Sequence, residues 1–354
     1  MPDFLGHDER DGELKFMKNN VTMKDIASEL GVSSVTVSKA LNDKEGVSDN
    51  LKLKIKKVAS EMGYRFNSAA KSIKEGLSYN IGVMIPQRFT GPQESFYLQV
   101  YQQIAIQLDH YGYFGILNIL SHEDEEALSF PRVYSEKKVD GIIVLGQISK
   151  QYIEIVQNMN LPKLFLDFYD EHAGIDSIVT DNFYGAYEIT NYLIQCGHRH
   201  IAYVGNIYST SSIQDRYLGY YKSLLEHGMA IDQRLLLNDR DEQGQYIDIA
   251  FPEQMPTAFV CNCDQVAYNL CERLISMGYR IPEDCSVVGF DNDVYATLAN
   301  PQLTTVEVDI EQMARIAVKS IMDKVTNPHR RIGRVLVHGK IIYRNSVKII
   351  HDSK

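Results

Sequence analysis

The chain has 354 residues, of which 44% are hydrophobic and 23% are charged, and its formal net charge is −10. This composition is ordinary for a globular protein, and the length predicts two or three domains. No apolar run approaches the length of a membrane helix, and the acidic N-terminus does not fit a signal peptide, so we expect a cytoplasmic protein with no membrane partner. Five cysteines, an odd number without framework spacing, agree with a reducing compartment.

The charge is distributed unevenly along the chain. Residues 1–16 carry 2 basic and 5 acidic side chains, whereas residues 17–80 carry 11 basic and 7 acidic ones. Basic charge is therefore concentrated in one segment near the N-terminus, as expected where phosphate groups are met. Residues 1–20 show no periodic apolar face. We expect a disordered leader over residues 1–20 or, as the alternative, a native start at Met17.

Residues 21–66 show the pattern of three short helices. The first begins with a capping box, in which Thr22 and Asp25 each satisfy a free backbone amide of the other. Gly31 permits the tight turn that a helix-turn-helix motif requires between its first two helices. Ser48 fits the cap of the third helix. The segment is therefore predicted to be a small all-α helix-turn-helix head.

The second predicted helix turns short, polar or cationic side chains away from its apolar face. Ser33 or Ser34 can cap this helix, and Val37 lies on its inner face. The outer positions suit a surface that enters the major groove of DNA. We expect DNA contacts from Thr22, Ser33, Ser34, Val35, Thr36, Ser38, Lys39 and Asn42. Of these, Ser34, Val35 and Lys39 should face the bases.

Several runs of this segment resemble the DNA-binding head of the lac repressor family. The runs are Val21–Ala27 (VTMKDIA), Gly31–Ser33 (GVS), Thr36–Asn42 (TVSKALN), Gly63–Tyr64 and Asn67–Ala70 (NSAA). The resemblance implies a hinge helix within residues 67–80, which orders on operator DNA and wedges an apolar side chain into the minor groove. It assigns the wedge to Ile73 and DNA contacts to Asn67 and Ala70. A flexible tether is the alternative interpretation of this segment.

From Ile81 onward, short apolar strands alternate with helical stretches. The predicted strands are Ile81–Ile85, Phe114–Leu120, Gly141–Leu145, Lys163–Asp167, Ser177–Thr180, Ile201–Gly205, Leu235–Asn238, Thr257–Cys261, Ser286–Asp291 and Val335–Ile342. The alternation predicts parallel sheets with helices on both faces, and so many strands require two lobes. Ligands of such sheets bind beyond the carboxyl ends of the strands, which here means the cleft between the lobes.

The predicted α/β core resembles the sugar-binding core of the same family, which is itself similar to periplasmic binding proteins. The stretches that carry this resemblance are Asp140–Ile143, Gly197–Ala202, Arg216–Tyr220, Val287–Asp291 and Asn300–Val306. It implies that the chain crosses between the lobes near residues 181, 306 and 335. The core would then span residues 81–354, with an N-lobe of about 81–181 and 306–334 and a C-lobe of about 182–305 and 335–354.

Polar residues at strand ends are the candidate ligand contacts. Asp167 and Asp291 end two predicted strands, and Arg216 lies early in a predicted helix. Two carboxylates and a guanidinium can hold sugar hydroxyls through charge-assisted hydrogen bonds. The resemblance places these three residues at ligand-contact positions and Phe96 on the wall of the pocket. Helix caps or an internal ion pair are the alternative roles.

Two positions depart from the usual pattern of the family but stay in the predicted ligand site. Cys263 stands where an amide commonly contacts the ligand, and Arg240 stands near the usual place of an aromatic ring, in a chain without Trp. Arg240 could bind an anionic effector or could pair with Asp239 or Asp241. Cys261 and Cys263 form a lone C-x-C pair with no second pair at metal-like spacing, so we expect no zinc and no cofactor.

These patterns predict a sequence-specific transcriptional regulator, most simply a repressor, that is controlled by a mono- or disaccharide. Two other classes are a solute-binding receptor without a DNA role and a sugar-processing enzyme. The intact head favours the regulator, and the Gly-x-Ser-x-Gly, Walker-type and dinucleotide motifs are absent from the sequence. Heads of this type bind as symmetric dimers, so we expect a homodimer on a palindromic operator. No leucine heptads that would build a tetramer follow the last strand.

Overall fold

The computed structural model describes residues 21–65, 72, 75–91, 96–170, 172, 174–241 and 244–350. The chain divides between Gly76 and Leu77 into two compact units, a helical head and an α/β core. The predicted leader and the hinge residues Asn67, Ala70 and Ile73 lie outside the described residues.

The described part of the head contains three helices, α1 (Met23–Leu30), α2 (Ser34–Leu41) and α3 (Asp49–Glu61). Helices of this length are marginal alone in water, so their stability comes from the apolar faces that they share. The fully buried residues of that shared core are Ile26, Val37, Ala40 and Ile55. The spacing of these residues along the chain is what the sequence pattern predicts for the inner faces of the helices.

The ends of the head helices follow the predicted chemistry except at one position. The capping box of α1 is confirmed, because the Asp25 amide donates to Thr22 Oγ1 at 3.4 Å and the Thr22 amide donates to Asp25 Oδ2 at 2.7 Å. Gly31 follows α1 with a φ of +63°, which glycine adopts without steric cost. The predicted side-chain cap at Ser48 is wrong, because its hydroxyl accepts no amide of α3. Asp49 instead places a negative charge in the first turn of α3, where it interacts favourably with the positive end of the helix dipole.

The N-lobe of the core is built on a parallel sheet that has six strands among the described residues. The strands are β1 (Asn80–Pro86), β2 (Phe114–Leu120), β3 (Gly141–Leu145), β4 (Lys163–Leu166), β5 (Ser177–Thr180) and β11 (Arg334–Val337). Their spatial order is β11-β5-β4-β3-β1-β2, and neighbouring strands are parallel. The strand β2 therefore forms one edge of this sheet.

The C-lobe repeats this architecture, again with six strands in the described part of the chain. The strands are β6 (Ile201–Val204), β7 (Leu236–Leu237), β8 (Ala258–Cys261), β9 (Ser286–Asp291), β10 (Thr304–Glu307) and β12 (Lys340–Ile342). Their order is β12-β10-β9-β8-β6-β7, and only the pairing of β12 with β10 is antiparallel. Two parallel-sheet lobes are the predicted fold of the core.

Helices cover both sheets and make most of the connections between parallel strands. They are α4 (Phe96–Asp109), α5 (His122–Glu126), α6 (Arg132–Ser135), α7 (Lys150–Asn158), α8 (Asn182–Gln195), α9 (Ser211–Glu226), α10 (Asp264–Ser276), α11 (Val294–Leu298) and α12 (Ile310–Thr326). The helix α12 follows a C-lobe strand but packs on the N-lobe, against α4 and the strands β3, β4 and β5. None of the helices in the described segments is long and apolar enough to cross a membrane.

The segment predicted as one last strand, Val335–Ile342, is in fact two short strands in different lobes. β11 pairs with β5 in the N-lobe, whereas β12 pairs with β10 in the C-lobe. Gly339 lies between them, where an added Cβ would stand 2.6 Å from the carbonyl oxygen of Glu307. The third crossing therefore falls at residues 338–339 and not near 335. An apolar run cannot reveal this, because both sheets offer it an edge of the same kind.

Candidate functional site

A cleft of about 1610 Å³ opens between the two lobes. All six core residues that we predicted as ligand contacts line this cleft: Phe96, Asp167, Arg216, Arg240, Cys263 and Asp291. Asp167 directly follows β4 of the N-lobe, and Asp291 ends β9 of the C-lobe. The cleft thus lies beyond the carboxyl ends of both sheets, where open parallel sheets hold their ligands.

Arg216 occupies the floor of the cleft and is 95% buried, since only 5% of its surface is exposed. Its Nε donates to Asn182 Oδ1 at 2.7 Å, its Nη2 donates to Asp291 Oδ1 at 3.2 Å, and its Nη1 donates to the carbonyl of Asn262. The guanidinium carbon lies 3.8 Å from the ring centroid of Phe290. A buried cation that is held from several sides is fixed in position before a ligand arrives.

Asp167 presents an unsatisfied acceptor to the cleft. Tyr97 Oη donates to Asp167 Oδ2 at 2.9 Å, whereas the buried Oδ1 of Asp167 has no hydrogen-bond partner in the described part of the chain. Burial raises the pKa of Asp167 to about 6, against the opposing charge of Arg216. Tyr97 was not predicted as a site residue, although its position next to Phe96 at the start of a helix was an available signal.

The two cleft carboxylates share an unusual backbone conformation. Asp167 has a φ of +68°, and Asp291 and the following Asn292 have φ values of +106° and +55°. Non-glycine residues in the left-handed region are strained, and such strain concentrates at functional sites. Burial also raises the pKa of Asp291 to about 7, although the guanidinium of Arg216 opposes the shift.

Arg240 lines the cleft but is already paired. Its Nη2 and Nε donate to Asp239 Oδ2 at 2.7 and 2.9 Å, and only 11% of its side chain is exposed. Asp239 also accepts the backbone amide of Asn206 at 2.8 Å and the Nδ2 of Asn262 at 2.8 Å. Of the two predicted roles of Arg240, the structure therefore contains the ion pair with Asp239.

The two cysteines of the C-x-C pair face different surroundings, because β8 ends at Cys261. Cys261 is buried in the apolar core of the C-lobe, whereas Cys263 precedes α10 and lines the cleft. Among the residues that the structure describes, no three or more His, Cys, Asp or Glu side chains are grouped to hold a metal ion.

Two side-chain contacts between described residues connect the lobes across the cleft. Gln147 follows β3 in the N-lobe, and Ser211 begins α9 in the C-lobe. The Ser211 hydroxyl donates to Gln147 Oε1 at 3.1 Å. Tyr169, in the loop after β4, donates to Asp215 Oδ1 of α9 at 3.1 Å. Asp215 precedes Arg216, so α9 carries both a cross-lobe contact and a residue of the cleft floor. Local sequence patterns could not predict these pairs, because their partners lie on different lobes.

The outer surface of α2 in the head exposes the residues that we predicted to face bases. Val35 is 63% exposed, and Ser34 and Lys39 are also exposed. A branched apolar side chain on the otherwise polar outer face of α2 gains nothing from exposure to water. It suits contact with the methyl group of thymine in the major groove.

The remaining head residues that we predicted to contact DNA lie at or near helix ends and are engaged locally. Ser33 Oγ accepts the Thr36 amide at 3.0 Å, and Asn42 Nδ2 donates to the carbonyl of Ser38 at 2.7 Å. Thr22 forms the capping box of α1. These residues therefore have a structural task as well as the predicted one.

Both units match known protein families. Residues 22–67 match the family described as bacterial regulatory proteins, lacI family, and residues 190–347 match the periplasmic binding protein-like domain. Over 333 residues the chain is 28% identical to the HTH-type transcriptional repressor PurR of Vibrio campbellii, with 92% of this chain and 98% of PurR covered.

Solved structures share the fold over more than nine-tenths of the chain. The lac repressor dimer bound to operator and an anti-inducer matches with a TM-score of 0.72 and 23% identity, over 93% of this chain and 99% of the repressor. The complex of the transcriptional regulator CelR with cellobiose matches with a TM-score of 0.65 and 21% identity, over 92% of this chain and 99% of CelR. The chain therefore joins a head of the lacI family of bacterial regulatory proteins to a periplasmic binding protein-like core, which is the organisation of a DNA-binding transcriptional regulator.

Proposed function

We propose that this regulator is a repressor whose binding to DNA is controlled by a small sugar in the interlobe cleft. The observation that carries the proposal is the convergence of Asp167, Arg216 and Asp291, from separate elements of two lobes, on the floor of one cleft. Carboxylate acceptors beside a guanidinium donor match the hydroxyl groups of a sugar, which donate and accept. Phe96 also lines this cleft, and the C–H surface of a sugar can pack against its ring.

The relatives support this assignment. PurR is named a transcriptional repressor, and CelR was solved with cellobiose. A solute-binding receptor without a DNA role would not need the head that matches over residues 22–67. We also propose that the chain catalyses no reaction, since the relative that it matches along most of its length is named a regulator. We propose a cytoplasmic location on the same ground, since a DNA-binding regulator must reach the DNA.

On DNA, we propose that α2 enters the major groove of a half-site, with Ser34, Val35 and Lys39 against base edges. Lys39 can donate to the acceptors of guanine. The other predicted head contacts would hold the backbone at the helix ends. The roles of Asn67, Ala70 and Ile73 in a hinge that wedges the minor groove remain predictions from the sequence. A two-fold symmetric protein on this scheme requires a palindromic operator.

The partner that makes the protein symmetric is a second copy of the chain. The edge strand β2 exposes Phe114 (68%) and Ile119 (50%), and the adjacent α4 exposes Leu98 (51%) and Ile106 (52%). An open edge with exposed large apolar side chains is a hazard unless another surface covers it. The lac repressor, which shares the fold, was solved as a dimer. A sedimentation measurement that shows a stable monomer or a tetramer at micromolar concentration would contradict this assembly.

The experiment that tests the proposed function is a mobility shift of the DNA upstream of the protein's own gene. We expect a discrete complex that a sugar either dissolves or strengthens. The same titration on random DNA of equal length measures the non-specific binding, which falls steeply with salt. No preference for the upstream DNA at any salt concentration would refute the regulator, whereas a preference that no sugar alters would refute only the sugar control.

A further inference from the structure

Arg240, Tyr246 and Gln265 form one connected wall of the cleft in the C-lobe. Arg240 and Tyr246 face each other across an antiparallel bridge, and the guanidinium carbon lies 4.9 Å from the ring centroid of Tyr246. Tyr246 Oη donates to Gln265 Oε1 at 3.1 Å. The cation on one side and the hydrogen bond at the hydroxyl hold the ring in place, and 40% of the Tyr246 surface remains exposed.

The wall offers little attraction to an anion, although it contains an arginine. The charge of Arg240 is balanced by Asp239, which is 98% buried because only 2% of its surface is exposed, and Asp239 accepts two N–H groups of the same guanidinium. On the floor of the cleft, the charge of Arg216 is shared with Asp291 at 3.2 Å, and Asp167 lines the same space. An acidic ligand would have to displace an existing ion pair and lie beside carboxylates.

Gln265 supplies a hydrogen-bond donor that the protein itself leaves unused. Only 5% of Gln265 is exposed, its Oε1 accepts Tyr246, and its Nε2 has no hydrogen-bond partner within the described segments. In the N-lobe, Asp167 Oδ1 is likewise a buried acceptor without a hydrogen-bond partner among the described residues. Buried polar groups are rarely left without a partner, so both atoms point to a ligand that accepts at one lobe and donates at the other.

We propose that Tyr246 and Gln265 select an uncharged mono- or disaccharide, with the Tyr246 ring packed on its C–H face and Gln265 Nε2 donating to one of its oxygens. Arg240 is a positioning residue that holds the ring and does not bind the ligand. The inference rests on the proposed sugar control and specifies it, since it excludes sugar acids and sugar phosphates as effectors. It also assigns the stacking surface to Tyr246. This residue lies six positions after Arg240, which stands near the usual place of an aromatic ring in the family.

The selection is tested by calorimetric titration of the full-length protein with matched sugars. The panel pairs glucose with glucuronate and glucose 6-phosphate, pairs galactose with galacturonate, and adds ribose and cellobiose. We expect at least one uncharged sugar to bind, and each acidic counterpart to bind about tenfold more weakly or worse. Tighter binding of an acid or a phosphate would overturn this inference and leave a sugar-controlled regulator. Binding of none would refute the sugar control itself, and the inference with it.

Variants of the wall separate the roles of its residues. Tyr246→Leu, which removes the ring, should weaken the uncharged sugar about fivefold to tenfold, and Tyr246→Phe, which keeps it, should weaken it less. Gln265→Leu removes the donor and should cost about tenfold. Arg240→Gln should weaken the uncharged sugar without changing the ratio of uncharged to acidic binding. A loss confined to acidic sugars in Arg240→Gln would show that Arg240 is an anion receptor and would overturn its positioning role.

The absence of Trp from the chain supplies a direct reporter of the wall. Tyr246→Trp places a single indole on the cleft, and Tyr343→Trp places one at a residue that is 61% exposed and outside the cleft lining. We expect the bound sugar to shift the emission of the first variant and leave that of the second unchanged. An unchanged emission of the Tyr246→Trp variant under saturating sugar, with binding verified by calorimetry, would overturn the stacking assignment.

Discussion

The outer face of α2 and the floor of the cleft meet their partners in opposite ways. Ser34, Val35 and Lys39 are exposed on one short helix, whereas Arg216 is buried and donates a hydrogen bond to Asp291, whose side chain is only 11% exposed. DNA supplies its own high charge density, so an exposed helix with a few donors is enough to meet it. A sugar carries no net charge, so its site must be dehydrated and ordered in advance. A substitution on the outer face of α2 should therefore affect only its own DNA contact. A substitution on the floor of the cleft should disturb the neighbouring groups as well.

The largest effect is expected in the cleft. Asp291→Ala should remove an acceptor and leave Arg216 with an unbalanced buried charge, which costs about 2–5 kcal/mol of sugar affinity by analogy with other buried charge pairs. Calorimetric titration should show no measurable heat. Asp284→Ala, which removes a surface carboxylate outside the cleft, is the matched control. Operator binding without sugar should survive in both variants, and equal sugar binding in the two would contradict the assignment.

A smaller and strictly local effect is expected in the head. Lys39→Ala should lose about 1–3 kcal/mol on the preferred operator if Lys39 reads a guanine. Mobility shifts on operator and on random DNA measure the difference. An equal loss on both DNAs would mean that Lys39 meets only phosphate. Sugar affinity of the free protein should not change, because no described residue of the head lines the cleft.

The buried carboxylates also predict a dependence on pH. Burial raises the pKa of Asp167 to about 6 and that of Asp291 to about 7, against an ordinary value near 4. Ionised carboxylates are the stronger acceptors, so sugar affinity should rise between pH 5.5 and 8, by up to about tenfold per unit for each group. The sign for stability is opposite. A raised folded-state pKa stabilises the protein below about pH 4, and that contribution is lost as the pH rises through 6 and 7.

Calorimetry at several pH values measures the dependence of sugar affinity on pH. The charged or titratable groups that face these carboxylates are Tyr97, Arg216 and Asp293. Thermal unfolding without sugar, at the same pH values, measures the dependence of stability on pH. Sugar affinity that is flat from pH 5.5 to 8 would show that both carboxylates are ionised throughout. Asp291→Asn should flatten the upper part of the curve, since it removes the group with the higher pKa.

The smallest effect is expected at the contact between the lobes. Tyr169→Phe removes one hydrogen bond to Asp215 and keeps the ring, on which Arg334 lies 4.4 Å from the centroid. The loss is about 0.5–1.5 kcal/mol of the preference for this arrangement of the lobes. Small-angle scattering and sugar affinity should both change. A change in unfolding temperature alone would show that the contact stabilises the core without biasing the lobes.

Local patterns in the sequence were enough to predict the strands and the head. The strands over Phe114–Leu120, Gly141–Leu145, Ser177–Thr180 and Ser286–Asp291 were predicted with the observed bounds, because each is an apolar run ended by polar or turn residues. The capping box at Thr22 is local as well. The division of residues 335–342 between two sheets was missed, since the choice of partner strand is made in three dimensions.

The same distinction applies to the candidate site. Asp167 and Asp291 could be proposed because the end of a strand can be read from the sequence. Tyr246 and Gln265 could not, because their orientation toward the cleft depends on an antiparallel bridge and a helix that are packed by distant residues. Tyr97 could have been proposed from its place beside Phe96, although its hydrogen bond to Asp167 spans 70 residues of sequence. Asp239, one of the two partners proposed for Arg240, could be named because it is a neighbour in sequence. Contacts between the lobes lie beyond any local pattern.

The central claim is that a ligand in the cleft and an operator on the head influence each other. The most direct test is a linkage measurement: operator affinity with and without saturating sugar, and sugar affinity with and without operator, at one salt concentration and pH. We predict that the two ratios are equal and lie at about 5- to 150-fold, and that the operator affinity of Asp291→Ala, which should not bind sugar, is the same with and without it. Operator affinity that is the same with and without a sugar that binds the cleft would contradict the account.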